Sequence, residues 1–145
     1  MRGAFEVKKE IRVYMGSRFE FDPVNKILLI RFEGRLTDQL FAEFYRTAQK
    51  YWAATDASAV ISDYSSAEWA VSAELIRQLA SEEPAVTEPA KRPRIVVAPT
   101  AVGFGLARMF QIVGEPKRPL FKVVRTMQEA FAELGIQSPH FEPLE

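Results

Sequence analysis

The residues best suited to chemistry lie in one stretch, Asp63-Tyr-Ser-Ser-Ala-Glu-Trp-Ala-Val-Ser72. It carries a carboxylate at Asp63, hydroxyls at Ser65, Ser66 and Ser72, an aromatic ring at Tyr64 and another at Trp69. A pairing of Asp63 with Ser65 or Ser66 would serve group transfer only if a neighbouring base activated the hydroxyl. The single histidine, His140, lies near the far end of the chain. A Ser-His-Asp arrangement would require that end to fold back. There is no Cys, which excludes disulfides, thiolate nucleophiles and thiolate metal sites. Asp38, Glu43, Asp63 and Glu68 show no paired spacing, and one imidazole beside scattered carboxylates makes no metal set. The expectation is no enzyme, no metal and no cofactor. Gly103-Phe104-Gly105 follows a strand and opens a helix, but neither a third Gly nor a P-loop Lys follows. These glycines are read as sites of close packing, with a small anion site at the helix start as the functional alternative.

The elements that must position these residues follow from periodicity. Ala59, Val60 and Ile61 form an apolar, partly β-branched run that suits a strand covered on both faces. Asp63 is expected to end it, with a loop over 64–71. Ser72 fits a helix N-cap, Glu74 complements the dipole in the first turn, and Leu75, Ile76, Leu79 and Ala80 follow at helical spacing. Glu82, Glu83 and Pro84 close that helix. Upstream, Arg18-Phe-Glu-Phe21, the turn Asp22-Pro-Val-Asn-Lys26 and Ile27-Leu-Leu-Ile-Arg-Phe32 predict an antiparallel hairpin. Glu33-Gly34-Arg35 is expected to break the second strand. A helix then starts at Thr37, with Leu40, Phe41, Phe44, Ala48, Tyr51 and Trp52 on one stripe.

Downstream, 82–94 holds three of the nine prolines and reads as an exposed connection. Ile95-Val-Val-Ala98 is a buried strand, and a helix over 100–113 ends at Gly114 and Pro116. Leu120-Phe-Lys-Val-Val124 is the last strand. Thr126 and Glu129 form a capping box before the last helix, closed by Gly135. The order predicts an α/β fold: a mixed, mostly parallel sheet of about five strands with four helices and an N-terminal β-hairpin. One domain spans 17–135. Residues 1–16 are an edge strand or frayed end, and 136–145 form a loosely held tail.

Bulk properties narrow the function. The 145 residues are 48% hydrophobic and 26% charged, enough for an ordinary globular core. Lys plus Arg and Asp plus Glu are both 19, so no basic excess points to nucleic acid. The pairs Lys91-Arg92 and Lys117-Arg118 read as solvated. No apolar run approaches the ~20 residues of a membrane span, and the first ten residues lack a signal-peptide core, so the expected location is cytoplasmic.

The stretch 63–75 resembles the strand, loop and helix start of the STAS fold, in particular of SpoIIAA-like anti-sigma-factor antagonists. Their pattern is roughly Asp-Leu-Ser, a spacer with an aromatic residue, then Asp-Ser-Ser/Ala-Gly-Leu. Asp63, Ser65, Trp69, Ser72 and Leu75 match in place. The likeness extends over about 18–135. It implies a non-enzymatic regulatory module and puts Ser72 at the position that antagonists have phosphorylated. A phosphate of about −2 charge at a helix N-terminus would be physically sound. The pattern departs at Val71, where the family has Asp, and at Glu74, where it has Gly; the Glu74 carboxylate would repel a phosphate. Ser72 is therefore read first as a cap.

The expected recognition surface comprises Asp63, Tyr64, Ser65, Ser66, Trp69, Ser72, Thr100, Gly103 and Phe104, at the carboxyl ends of parallel strands. Trp69, in a loop, would either anchor a partner or tuck over the sheet. The partner would be a protein or a small apolar ligand. The alternative function is a lipid carrier, because the layout is similar to that of CRAL-TRIO domains and the 12% aromatic content permits a cavity. The N-terminal segment is compatible with pairing to a second chain's sheet edge in a homodimer.

Overall fold

The computed structural model describes residues 16–82 and 92–144. The expectations for 1–15 and 83–91 lie outside the described residues. The elements are β1 (Ser17–Asp22), β2 (Ile27–Thr37), α1 (Asp38–Ala54), β3 (Ala59–Ala70), α2 (Ala73–Ser81), β4 (Arg94–Val97), α3 (Ala101–Val113), β5 (Phe121–Val124), α4 (Met127–Leu134) and β6 (Glu142–Pro143). One six-stranded sheet runs in the order β5-β4-β3-β2-β1-β6. The strands β2, β3, β4 and β5 pair in parallel, and β1 is antiparallel to both β2 and β6.

Alternation along the strands builds two cores. Leu28, Ile30 and Phe32 of β2, Val60 and Tyr64 of β3 and Val96 of β4 meet α1, α2 and α3 on one face. Ile27, Leu29, Ala59, Ile61, Ile95 and Val97 point the other way, onto Ala130, Met127, Phe131 and Leu134 of α4. Because both faces are covered, β2, β3 and β4 read as continuous apolar runs. Each of the four helices among the described residues starts on a hydroxyl. Thr37, Ser72, Thr100 and Thr126 accept from the N–H of Leu40, Leu75, Gly103 and Glu129. The Thr126–Glu129 capping box forms, and Gly135 adopts the left-handed conformation (φ 65°) that closes α4.

Two expectations are corrected. Neither Glu33-Gly34-Arg35 nor Asp63 ends its strand. Pairing runs from Ile27↔Ala59 to Arg31↔Asp63, shifts, and resumes at Glu33↔Ser66 through Thr37↔Ala70. One extra residue on β3 makes this a bulge. Gly34 sits there at φ 97°, a conformation that L side chains resist. The tail is not loose either. Glu142 pairs with Phe21, the Leu144 N–H donates to the Phe19 carbonyl at 2.8 Å, and the Phe141 ring stacks with that of Phe131. Backbone pairing and one half-buried ring hold it, so the sheet among the described residues has six strands rather than about five.

Candidate partner-binding surface

Ser72 is exposed at the start of α2, and its surroundings are built by the β2–β3 extension. Because Thr37 pairs with Ala70, the next residues of each chain run side by side into their helices. Asp38, in the first turn of α1, therefore reaches Ser72. One carboxylate oxygen accepts the Ser72 N–H at 2.6 Å and the other accepts its hydroxyl at 2.8 Å. The same hydroxyl oxygen accepts the Leu75 N–H at 3.2 Å. The carboxylate sits at two helix starts at once, where both dipoles favour it. Sequence reasoning passed over Asp38 because its partner lies 34 positions away; only the strand register brings them together.

The expected surface residues do not form one surface. Tyr64 is buried in the core under α1 and packs against Phe41, Phe44 and Trp69. Burial pushes its phenol pKa up; the charge of Arg94 opposes this and the Tyr45 phenol adds to it. Trp69 lies in a strand, not a loop. The bulge flips the alternation, so Ala67 and Trp69 join the face that Val60 and Tyr64 occupy. Its ring centroid is 4.8 Å from that of Tyr64 and 6.0 Å from that of Phe41. Its edge lies on Gly103, where a side chain would collide with the indole. Gly103 is thus a packing residue, and its N–H already donates to Thr100 Oγ at 3.1 Å. Phe104 is half-buried, with the Arg125 guanidinium 3.9 Å above its ring.

Asp63 is also buried, and it points to the opposite face of the sheet, two residues beyond Ile61. Its carboxylate accepts the backbone N–H and the hydroxyl of Ser65. It lies 3.7 Å from Arg31, which also faces Glu20 at 3.9 Å. This is a structural charge triad. The Ser65 hydroxyl donates to a carboxylate with no histidine beside it; His140 stands against Glu142 on the β6 side, 4.0 Å away. Ser66 is exposed. What remains at the open end of α2 and α3 is exposed: Ser72, Glu74, Thr100, Ala101 and Val102. Among the described residues no group of His, Asp and Glu could hold a metal ion, and no helix is long and apolar enough to cross a membrane.

Arg118, expected in solvent, is buried. It donates to the carbonyls of Ala80 (2.8 Å) and Glu82 (3.1 Å) and to the Tyr45 hydroxyl (3.2 Å), tying the loop before β5 to α2. Arg92 is half-buried and donates to the Ala57 carbonyl. Between the sheet and α1, α2 and α3 the packed rings leave a cavity of about 20 Å³. Ligand pockets run to roughly 300–1,000 Å³, so this space gives the lipid-carrier alternative no support.

No protein-family model matches the chain, and no curated protein does. Among solved structures, the anti-sigma factor antagonist SpoIIAA in its unphosphorylated form is similar. The match has a TM-score of 0.53 at 13% identity and covers 84% of this chain and 99% of that one. The likeness shows the fold: this chain has the mixed α/β architecture of SpoIIAA.

Proposed function

We propose that the chain is a non-enzymatic regulatory module that binds a protein partner at the open end of α2 and α3. The observation that carries this reading is Val102, an apolar side chain 61% exposed on the first turn of α3. It stands beside exposed Thr100 and Ala101, and α2 with Ser72 and Glu74 packs alongside. Both helix starts are fixed from beneath, one by Asp38 and the other by the Trp69–Gly103 contact. A rigid apolar point with a polar rim is the usual make-up of a protein-recognition patch. SpoIIAA, of the same fold, is by its title an antagonist of an anti-sigma factor, and so acts on another protein. The proposal leaves Ser72 as a cap. A phosphate there would have to displace the Asp38 carboxylate and face Glu74, two like charges that oppose it.

The test begins with a photo-crosslinking residue at position 102 and a partner identified from the crosslink. The purified partner is then titrated against variants. Val102→Asp should weaken binding about tenfold or more with an unchanged melting temperature, because a charge is desolvated in the contact. Val24→Asp, at the 85% exposed tip of the β1–β2 turn, should change it less than about twofold. Equal losses in both variants, or none in Val102→Asp, would remove this surface.

A further inference from the structure

The helix α3 is apolar nearly all the way round. Its 13 residues carry one charge, at Arg108. A helix of that composition is normally buried on every side, yet α3 buries only the face of Gly103, Ala107 and Phe110. Away from that face runs a second apolar stripe. Val102, Gly105, Met109 and Ile112 recur at steps of three, four and three residues, the spacing of a helix–helix seam. Val102 is 61% and Ile112 60% exposed, Gly105 is exposed, and Met109 is half-buried. Nothing among the described residues stands within 4 Å of where a Gly105 side chain would begin. The stripe thus has apolar knobs at three positions and a gap at the fourth.

The neighbouring helix adds charge on one flank. The helices α2 and α3 run side by side in the same direction: a guanidinium nitrogen of Arg77 lies 3.8 Å from the Met109 sulfur, and the Ala80 carbonyl lies against Gly114. Glu74, one turn before Arg77, is therefore level with the Gly105 region. Both Glu74 and Arg77 are exposed.

We propose that this face seats a second copy of the chain, in a twofold dimer with the two α3 helices antiparallel. The stripe is complementary to itself. Turned end for end about the level of Ala107, Val102 meets Ile112 and Met109 enters the gap at Gly105, each contact occurring twice as an isologous interface requires. The same rotation sets Glu74 level with Arg77 of the other copy, again twice, so opposite charges face each other. Arg108 lies on the other flank, held to Gln111, and the rotation sets it level with its own mate. Both members of that pair are exposed and keep their water, so their repulsion is small. The face is two helices wide and about 20 Å long. That is the small end of specific interfaces, so the dimer is weak and reversible. It also covers Val102, so a second copy and a protein partner bound there exclude each other.

The test needs the purified full chain alone, so its failure is separate from any failure of the partner surface. Sedimentation equilibrium from about 1 µM to 1 mM should show a reversible monomer–dimer equilibrium. Ile112→Asp should lower the association constant at least about tenfold with an unchanged melting temperature, and Val24→Asp by less than about twofold. The charge pairs are read by mixing. A chain with Glu74→Arg sets arginine against arginine, and one with Arg77→Glu sets glutamate against glutamate. Each alone should dimerise more weakly than the wild type, and an equimolar mixture should regain the dimer, because across the mixed pair every charge meets its opposite. A chain that stays monomeric throughout the range overturns the proposal. So does a dimer that Ile112→Asp leaves intact, or a mixture that pairs no better than its components.

Discussion

A methyl group added to two glycines of α3, only two positions apart, should have opposite effects. At Gly103 a Cβ would come under 3.0 Å from three atoms of the Trp69 indole. That ring is rigid and is bracketed by Tyr64 and Phe41, so it cannot swing aside. Gly103→Ala should therefore destabilise the fold by about 1–3 kcal/mol. At Gly105 nothing lies within 4 Å. Gly105→Ala should stabilise by roughly 0.5–1 kcal/mol, because alanine loses less backbone entropy in a helix. Urea unfolding of the pair reads both signs, and a neutral Gly103→Ala would mean that the indole does not sit where described. The same contact changes the role of Trp69. Trp69→Ala should cost about 3 kcal/mol, which makes it a prop beneath the helix starts and a poor probe of partner binding.

Elements whose signals are local were legible. The capping hydroxyls of Thr37, Ser72 and Thr126, the Thr126–Glu129 box, the Asp22–Lys26 turn and the apolar stripe of α1 each declare themselves within a few residues, whereas Thr100 reads only as a helix start. The long halves of β2 and β3 did not. Past Arg31 and Asp63 the sequence turns polar and carries Gly34, which reads as a break, while ladder bonds and a bulge carry the pair on to Thr37 and Ala70. Misreading that ribbon as a loop put Tyr64 and Trp69 on the surface, and it hid the neighbour of Ser72. The Asp38–Ser72 link is testable at this scale. Ser72→Ala removes a cap and should cost about 1 kcal/mol. Asp38→Ala removes two charge-assisted bonds and should cost roughly 1.5–3 kcal/mol. The double variant should lose less than the sum, by about 0.5–1 kcal/mol, because both changes delete the same bond. Strict additivity would show that the two helix starts are not joined in solution.

At the scale of the whole molecule, one buried carboxylate closes the chain on itself. Asp22 is fully buried at the end of β1. It accepts the N–H groups of Val24 (2.9 Å) and Asn25 (3.0 Å), the Asn25 side-chain amide (2.8 Å) and the N–H of His140 (3.1 Å). The first three bonds fix the hairpin turn; the fourth pins the segment that leads into β6. Burial pushes its pKa up, but these four donors outweigh burial and hold it below 3.8. A carboxyl whose folded pKa is depressed contributes stability above its unfolded value, and that stability is lost as pH falls through the folded one. Asp22→Asn puts an amide donor where the carboxylate accepted and should cost about 1–3 kcal/mol at neutral pH. The gap between wild type and variant should hold down to the region of 3.8 and close below it. The amides of His140 and Leu144 should exchange faster in the variant, because the tail loses its pin while β1 and β2 keep their ladder. A gap that is the same at pH 7 and well below 3.8 would show that folding does not shift the Asp22 pKa, and that the four hydrogen bonds do not favour its charged form.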